Sequence, residues 1–184
     1  MLGDFRGYKP NYSERIRERH NVLTSAVLKG HTNNRCGRVT ITSPNPREPP
    51  AINFHYFDEG TDDGGDDLLA VVKGVRLAHR MTAGMNDLIE CEELPGTSVE
   101  SDEDLREYVR NHAWGHHASC TCAMGRRETG GVVSSDFKLH GVERLRVVDA
   151  SVFPRIPGLF IVSAIYMIGE KAADVIAKDA SKWE

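Results

Sequence analysis

Leu145-Arg146-Val147-Val148-Asp149-Ala150-Ser151-Val152-Phe153-Pro154 is the stretch on which the fold turns. Its β-branched run predicts a short strand that ends in small polar residues, a plausible ligand-facing edge. Pro154, Pro157 and Gly158 then break the chain. Beyond them Ile165, Ile168, Ala172, Val175 and Ile176 repeat at helical spacing, which predicts a final helix. Immediately upstream, a glycine-rich bend at Gly130-Gly131 opens an extended piece from Val132 to Leu139, and His140-Gly141 turns it toward the strand.

Before that bend lies the densest chemistry in the chain. Residues 112–125, His112-Ala113-Trp114-Gly115-His116-His117-Ala118-Ser119-Cys120-Thr121-Cys122-Ala123-Met124-Gly125, hold three of the eight histidines and two of the four cysteines. Such a cluster can bind a metal, move a proton near neutral pH, or sit in a core. Ser101-Asp102-Glu103-Asp104 resembles a capping box and opens a helix whose apolar side carries Leu105, Tyr108, Val109 and His112. That periodicity puts His112 on a packing face, as a satisfied core histidine.

The first half of the chain reads as strands and one long helix. Val22 to Leu28 is a strand candidate, Val39 to Thr42 alternates, and Ile52, Phe54 and Tyr56 share one face. The four prolines between Ser43 and Pro50 force a loop, so an antiparallel pair with a rigid connection is expected. Asp62-Asp63-Gly64-Gly65-Asp66-Asp67 lacks the spacing and the downstream Glu of a helix-loop-helix calcium loop. Its aspartates suit the start of a helix instead, with Leu68, Val71, Val72, Val75 and Ala78 as the apolar stripe and an end near Gly84. In the first twenty residues Arg15, Arg17 and Arg19 alternate, as in the start of a strand or an arm. The Lys178 to Glu184 tail reads as a solvated end.

Composition narrows the classes. A length of 184 residues with 40% hydrophobic content suits a globular chain of about one domain. The formal charge of -4 gives no general pull toward nucleic acid, which is not expected as a partner. Residues Met1 to Tyr8 lack the apolar core of a signal peptide, and the longest apolar run, Leu159 to Ile168, is too short to span a bilayer. Cysteines 36, 91, 120 and 122 are too few and too irregular for a disulfide framework, so reduced thiols, a cytoplasmic location and no membrane contact are expected.

The order of these motifs resembles the C-terminal, substrate-binding part of the glucose-methanol-choline (GMC) family of FAD-dependent oxidoreductases. The resemblance rests on Gly37 to Ile41, Pro49 to Asn53, His117 to Gly125, Val132-Val133, Leu145 to Pro154 and Gly169 to Asp174, and runs from about Arg35 to Ala177. It implies an α+β fold: an antiparallel sheet with helices packed on one face, then a C-terminal strand and helix that return to the flavin domain. Residues 1–34 would form an N-terminal arm and first strand, 35–142 the substrate-binding domain, and 143–184 the returning piece. It further implies that His117 takes the hydroxyl proton of a small-molecule alcohol while hydride passes to FAD. A neutral imidazole can do this, the cofactor carrying the redox step. By the same resemblance Asp149, Ala150, Phe160 and Ile161 lie against the flavin, and Trp114, His116 and Phe160 line the substrate pocket.

Two departures from the family pattern stand out. Ala118-Ser119-Cys120-Thr121 replaces the usual Pro-x-Gly-Thr, and Phe160 stands where the family places a second His or Asn. A phenyl ring cannot donate a hydrogen bond to an alcoholate, so either His117 works alone, or a neighbour such as His116 or Ser163 substitutes, or this branch handles a different substrate. No Gly-x-Gly-x-x-Gly follows a strand in the 184 residues, so FAD would need residues from a partner chain or a missing N-terminal half. Two other readings compete. One is a metal-binding module of His112, His116, His117, Cys120 and Cys122, although their spacing fits no common zinc site and no metal ligand is assigned. The other is a catalytically dead binding domain.

Overall fold

In the computed structural model the described residues are all except 1, 6, 8–9, 18–19, 86 and 182–184. The elements in chain order are strand β1 (Leu2–Gly3), helix α1 (Tyr12–Arg15), strands β2 (Leu23–Thr24), β3 (Arg38–Thr40) and β4 (Ala51–Asn53), and helices α2 (Asp66–Thr82), α3 (Asp102–His112) and α4 (Val162–Ala180). Two 3-10 turns, Arg127–Thr129 and Ala150–Val152, precede α4. The chain divides into two compact units, residues 1–113 and 114–184.

In the first unit, α2 and α3 pack on each other through Leu68, Val72, Leu105 and Val109, with Phe57, Val71, Val75, Val99 and Tyr108 around them. The helix stripe expected from sequence is therefore the core of this unit. Both helices start as their sequences dictate. Asp62 accepts hydrogen bonds from the backbone N–H of Asp66 and Asp67 at 3.2 and 2.8 Å, and Ser101 and Asp104 form a reciprocal capping box. Asp67 itself is 0% exposed. Its carboxylate accepts from the backbone N–H of Asn33 and Asn34 and pairs with Lys29 at 3.1 Å, which fastens the loop before β3 to the first turn of α2.

The sheets are smaller than the sequence suggested. β3 and β4 pair antiparallel with Val39 opposite Ile52, as expected, but every residue of both strands is exposed. The element expected to carry a helical layer is thus a two-stranded ribbon, and the helices bury their apolar stripes against each other. Of the candidate strand from Val22 to Leu28 only Leu23–Thr24 pairs, with β1. Its other half serves α2: a Cβ on Gly74 would stand 2.4 Å from Val27 Cγ1, so the glycine makes room for that valine. Arg15 closes the single turn of α1 and Arg17 lies in the turn after it, so no strand begins there; Arg19 lies outside the described residues. The end of the tail, 182–184, also lies outside them.

In the second unit, Val133, Phe137, Val152 and Ala172 form the core, flanked by Met124, Val132, Leu139, Val147 and Ile168. The expected extended piece, 132–139, and the expected strand, 145–151, reduce to isolated bridges: Met124 with Val133, Val133 with Leu139, and Lys138 with Arg146. The ladder stops because Asp149 turns the chain into the second 3-10 turn. The final helix forms as its periodicity predicts, with Ala172 and Ile168 inward.

Candidate active site around His117

Trp114, His116, His117, Asp149, Ala150, Phe160 and Ile161 all belong to the second unit. Four of their rings form a continuous series. Trp114 stacks on His116 with centroids 5.0 Å apart, His116 meets His117 edge-on at 4.7 Å, and His117 meets Phe160 edge-on at 6.4 Å. His117 is half-buried, and among the described residues no group hydrogen-bonds its ring nitrogens. A half-buried imidazole with uncommitted nitrogens is available to accept a proton from a bound molecule.

The backbone behind His117 is fixed by the 3-10 turn at 150–152. Cys120, Cys122 and Met124 donate their N–H groups to the carbonyls of Ala150, Ser151 and Val152 at 3.2, 2.9 and 2.8 Å. Every second residue of one segment meets successive carbonyls of the turn, so three main-chain hydrogen bonds seat the segment beside it. Cys120 has φ +72, in the left-handed region that favours glycine. The thiol that replaces the family's glycine therefore occupies a backbone position made for glycine. A further close approach holds the segment's far end: a Cβ on Gly131 would lie 2.3 Å from the carbonyl carbon of Gly125. His140 Nε2 donates to the Gly125 carbonyl at 2.9 Å from the other side.

The structure also sorts the expected site residues by exposure. Phe160 is 76% exposed, whereas its neighbour Ile161 is 5% exposed and turns its side chain inward. Asp149 commits Oδ1 to the N–H of Ser151 at 2.7 Å and to the Ser151 hydroxyl. Ser163, one proposed stand-in for the second polar group, lies exposed in the first turn of α4, while His116 is in ring contact with His117. His112 is a correction. It is exposed at the end of α3 in the first unit, stacked on Tyr108 at 4.2 Å with Nδ1 donating to the Tyr108 carbonyl at 2.8 Å. It is not a core histidine, because Tyr108 and Ala113 on either side of it pack against the core while its own ring lies exposed on Tyr108. Burial, with Glu92 nearby, raises the Tyr108 hydroxyl above its ordinary value.

Among the described residues no three His, Cys, Asp or Glu side chains gather as a metal site requires. The five-ligand metal reading thus finds no such geometry. Among the same residues no helix is long and apolar enough to cross a membrane.

A family model described as GMC oxidoreductase matches residues 32–169. The chain belongs to the GMC oxidoreductase family. It is 38% identical over 143 residues to the GMC oxidoreductase family protein Mala s 12 of Malassezia sympodialis, an alignment covering 76% of this chain and 22% of that protein. Its fold matches a fungal aryl-alcohol oxidase with a TM-score of 0.59 at 35% identity, over 79% of this chain and 24% of the oxidase. A formate oxidase of Aspergillus oryzae, studied for modification of its FAD, matches with a TM-score of 0.68 at 31% identity, over 80% of this chain and 26% of the oxidase. The chain spans about a quarter of the length of these relatives. GMC enzymes are FAD-dependent oxidoreductases that include alcohol oxidases, and the small antiparallel sheet with helices seen here is the α+β part they share with this chain.

Proposed function

We propose that these 184 residues supply the catalytic base and substrate wall of an FAD-dependent alcohol oxidoreductase, with residues 35–142 on the substrate side and 143–184 returning toward the flavin. The observation that carries this reading is the half-buried His117, its ring nitrogens uncommitted among the described residues, in edge contact with the exposed Phe160. An exposed apolar ring beside an imidazole fits one side of a flat ring system such as an isoalloxazine. Exposed Leu159 and Val162 extend the same apolar surface at the start of α4. The residues present do not fit the rest of the cofactor, since no glycine-rich strand-to-helix turn is available for a pyrophosphate. A second polypeptide, or a further portion of the protein, supplies that cradle, and the 184 residues alone do not turn over substrate.

When bound, the flavin supplies the hydride acceptor. His117 accepts the hydroxyl proton at an imidazole nitrogen, leaving an alkoxide whose electron pair favours loss of hydride from the carbon. His116, itself stacked on Trp114, and Phe160 each meet the ring of His117, and Trp114, His116 and Phe160 would line the substrate pocket beside it. Asp149, Ala150, Phe160 and Ile161 are the residues of this chain that would hold the flavin. Phe160 cannot donate a hydrogen bond to the alkoxide, so His117 serves as the one base, with His116 as the nearest second imidazole.

Flavin retention tests the reading. The purified chain is mixed with FAD alone and with the flavin-binding portion of a GMC enzyme, and visible absorbance of the recovered protein is measured. Flavin held only in the second mixture is expected. Flavin held in neither mixture would leave the catalytically dead binding domain as the better account.

A further inference from the structure

We propose that Asp149 is a positioning residue for His117 that acts through the turn it caps. The inference rests on His117 being the base of the reaction only for its consequence in catalysis; its structural content stands by itself.

The chain of contacts is short and continuous. Asp149 Oδ1 accepts the backbone N–H of Ser151 at 2.7 Å and the Ser151 hydroxyl, closing a local turn at the start of the 3-10 segment. Val152 N–H to the Asp149 carbonyl at 3.2 Å and Phe153 N–H to the Ala150 carbonyl at 3.3 Å complete that segment. So shaped, the turn presents the carbonyls of Ala150, Ser151 and Val152 in register to the N–H groups of Cys120, Cys122 and Met124. An extended strand could not do this, because its successive carbonyls alternate in direction.

Cys120 is the first anchored residue after His117, and its left-handed backbone redirects the chain there. Only Ala118 and Ser119 separate the imidazole from that anchor. The place of the His117 ring against Phe160 is therefore set from Asp149, about thirty residues away in sequence, through three main-chain hydrogen bonds. One carboxylate oxygen receives both Ser151 donors, so the role requires an acceptor at this position and does not require a charge. Resemblance alone assigned Asp149 to the flavin; the geometry gives its side chain a different task.

The test uses the full chain, without flavin or alcohol, so that its outcome is separable from that of the functional reading. Amide hydrogen exchange and the carbon-proton signals of the His117 ring, assigned by their loss in His117→Ala, are compared in Asp149→Ala, Asp149→Asn and Ser151→Ala. In Asp149→Ala the Cys122 and Met124 amides are expected to exchange at least about tenfold faster, and the His117 ring signals to move, while the Val147 amide keeps its protection. Asp149→Asn, which keeps the acceptor, is expected to restore both to the parent values. Ser151→Ala removes one of the two donors and is expected to shift the His117 signals in the same direction by less. It carries the test if Asp149→Ala does not fold. Unmoved His117 signals in a folded Asp149→Ala or Ser151→Ala chain would overturn the proposal, as would an Asp149→Asn chain that behaves like Asp149→Ala.

Discussion

The His117 imidazole and the Phe160 ring meet edge to face, their centroids 6.4 Å apart and their planes at 66°. An apolar ring in that position contributes surface and excludes water, but no hydrogen bond. In the flavin-loaded assembly, Phe160→Ala is expected to raise KM about tenfold while changing kcat less than about threefold, the pattern of lost uniform binding. Steady-state kinetics with a panel of primary alcohols measures this. An equal fall of kcat and kcat/KM would mean that Phe160 acts in the transition state.

Gly125 and Gly131 make a test of packing at the site's edge. A methyl on Gly131 would collide with the Gly125 backbone at 2.3 Å, whereas a methyl on Gly125 would meet Gly131 Cα at an ordinary 3.5 Å. Gly131→Ala is expected to lower stability by about 2 kcal/mol or more and Gly125→Ala by less than about 1 kcal/mol. Urea denaturation of the two variants side by side checks the order.

Cys120 holds a left-handed backbone with a non-glycine side chain. Cys120→Gly is expected to leave stability within about 0.5 kcal/mol of the parent or to raise it, and Cys120→Val to lower it by about 1–2 kcal/mol. Denaturation midpoints decide; a valine variant as stable as the parent would contradict the backbone assignment.

In the first unit, acid sensitivity runs through Asp67. Burial pushes its carboxyl up, but the N–H groups of Asn33 and Asn34 and the Lys29 ammonium outweigh this and hold it below the ordinary value. A depressed folded-state value means the contribution is fully present above the unfolded value, near 4, and is lost as pH falls through the folded one. Asp67→Asn is expected to be less stable by about 2 kcal/mol at neutral pH and to lose less on acidification below about pH 5. Thermal unfolding across that range measures both. Parallel pH curves for parent and variant would contradict the assignment.

Local signals in the sequence carried the helices. Ser101 and Asp104 announced the start of α3, and Leu68, Val71, Val72 and Val75 announced the buried face of α2, because capping and 3.6-residue spacing are properties of a few neighbouring residues. His112 was misjudged because periodicity names a face without saying how far along it the packing extends. The strand expected over 145–151 failed for a related reason: Val147 and Val148 favour extended chain, but the side-chain acceptor at Asp149 takes the backbone N–H of Ser151, two residues on, and curls the chain. The left-handed Cys120 and the contact between Gly125 and Gly131 depend on segments that meet only in the folded second unit. The motif that carries His117 was legible as a family pattern; the link from Asp149 through Ser151 to Cys122 was not, since it needs a side-chain cap and a main-chain hydrogen bond between segments about thirty residues apart.

The most direct measurement is anaerobic reduction of the bound flavin by an alcohol, followed as loss of its visible absorbance, in assemblies containing the parent chain or His117→Ala. The parent is expected to bleach on adding a primary alcohol, and His117→Ala to retain flavin but bleach about 10²–10⁴-fold more slowly. Equal bleaching rates in the two assemblies would remove His117 from the base role and contradict the account.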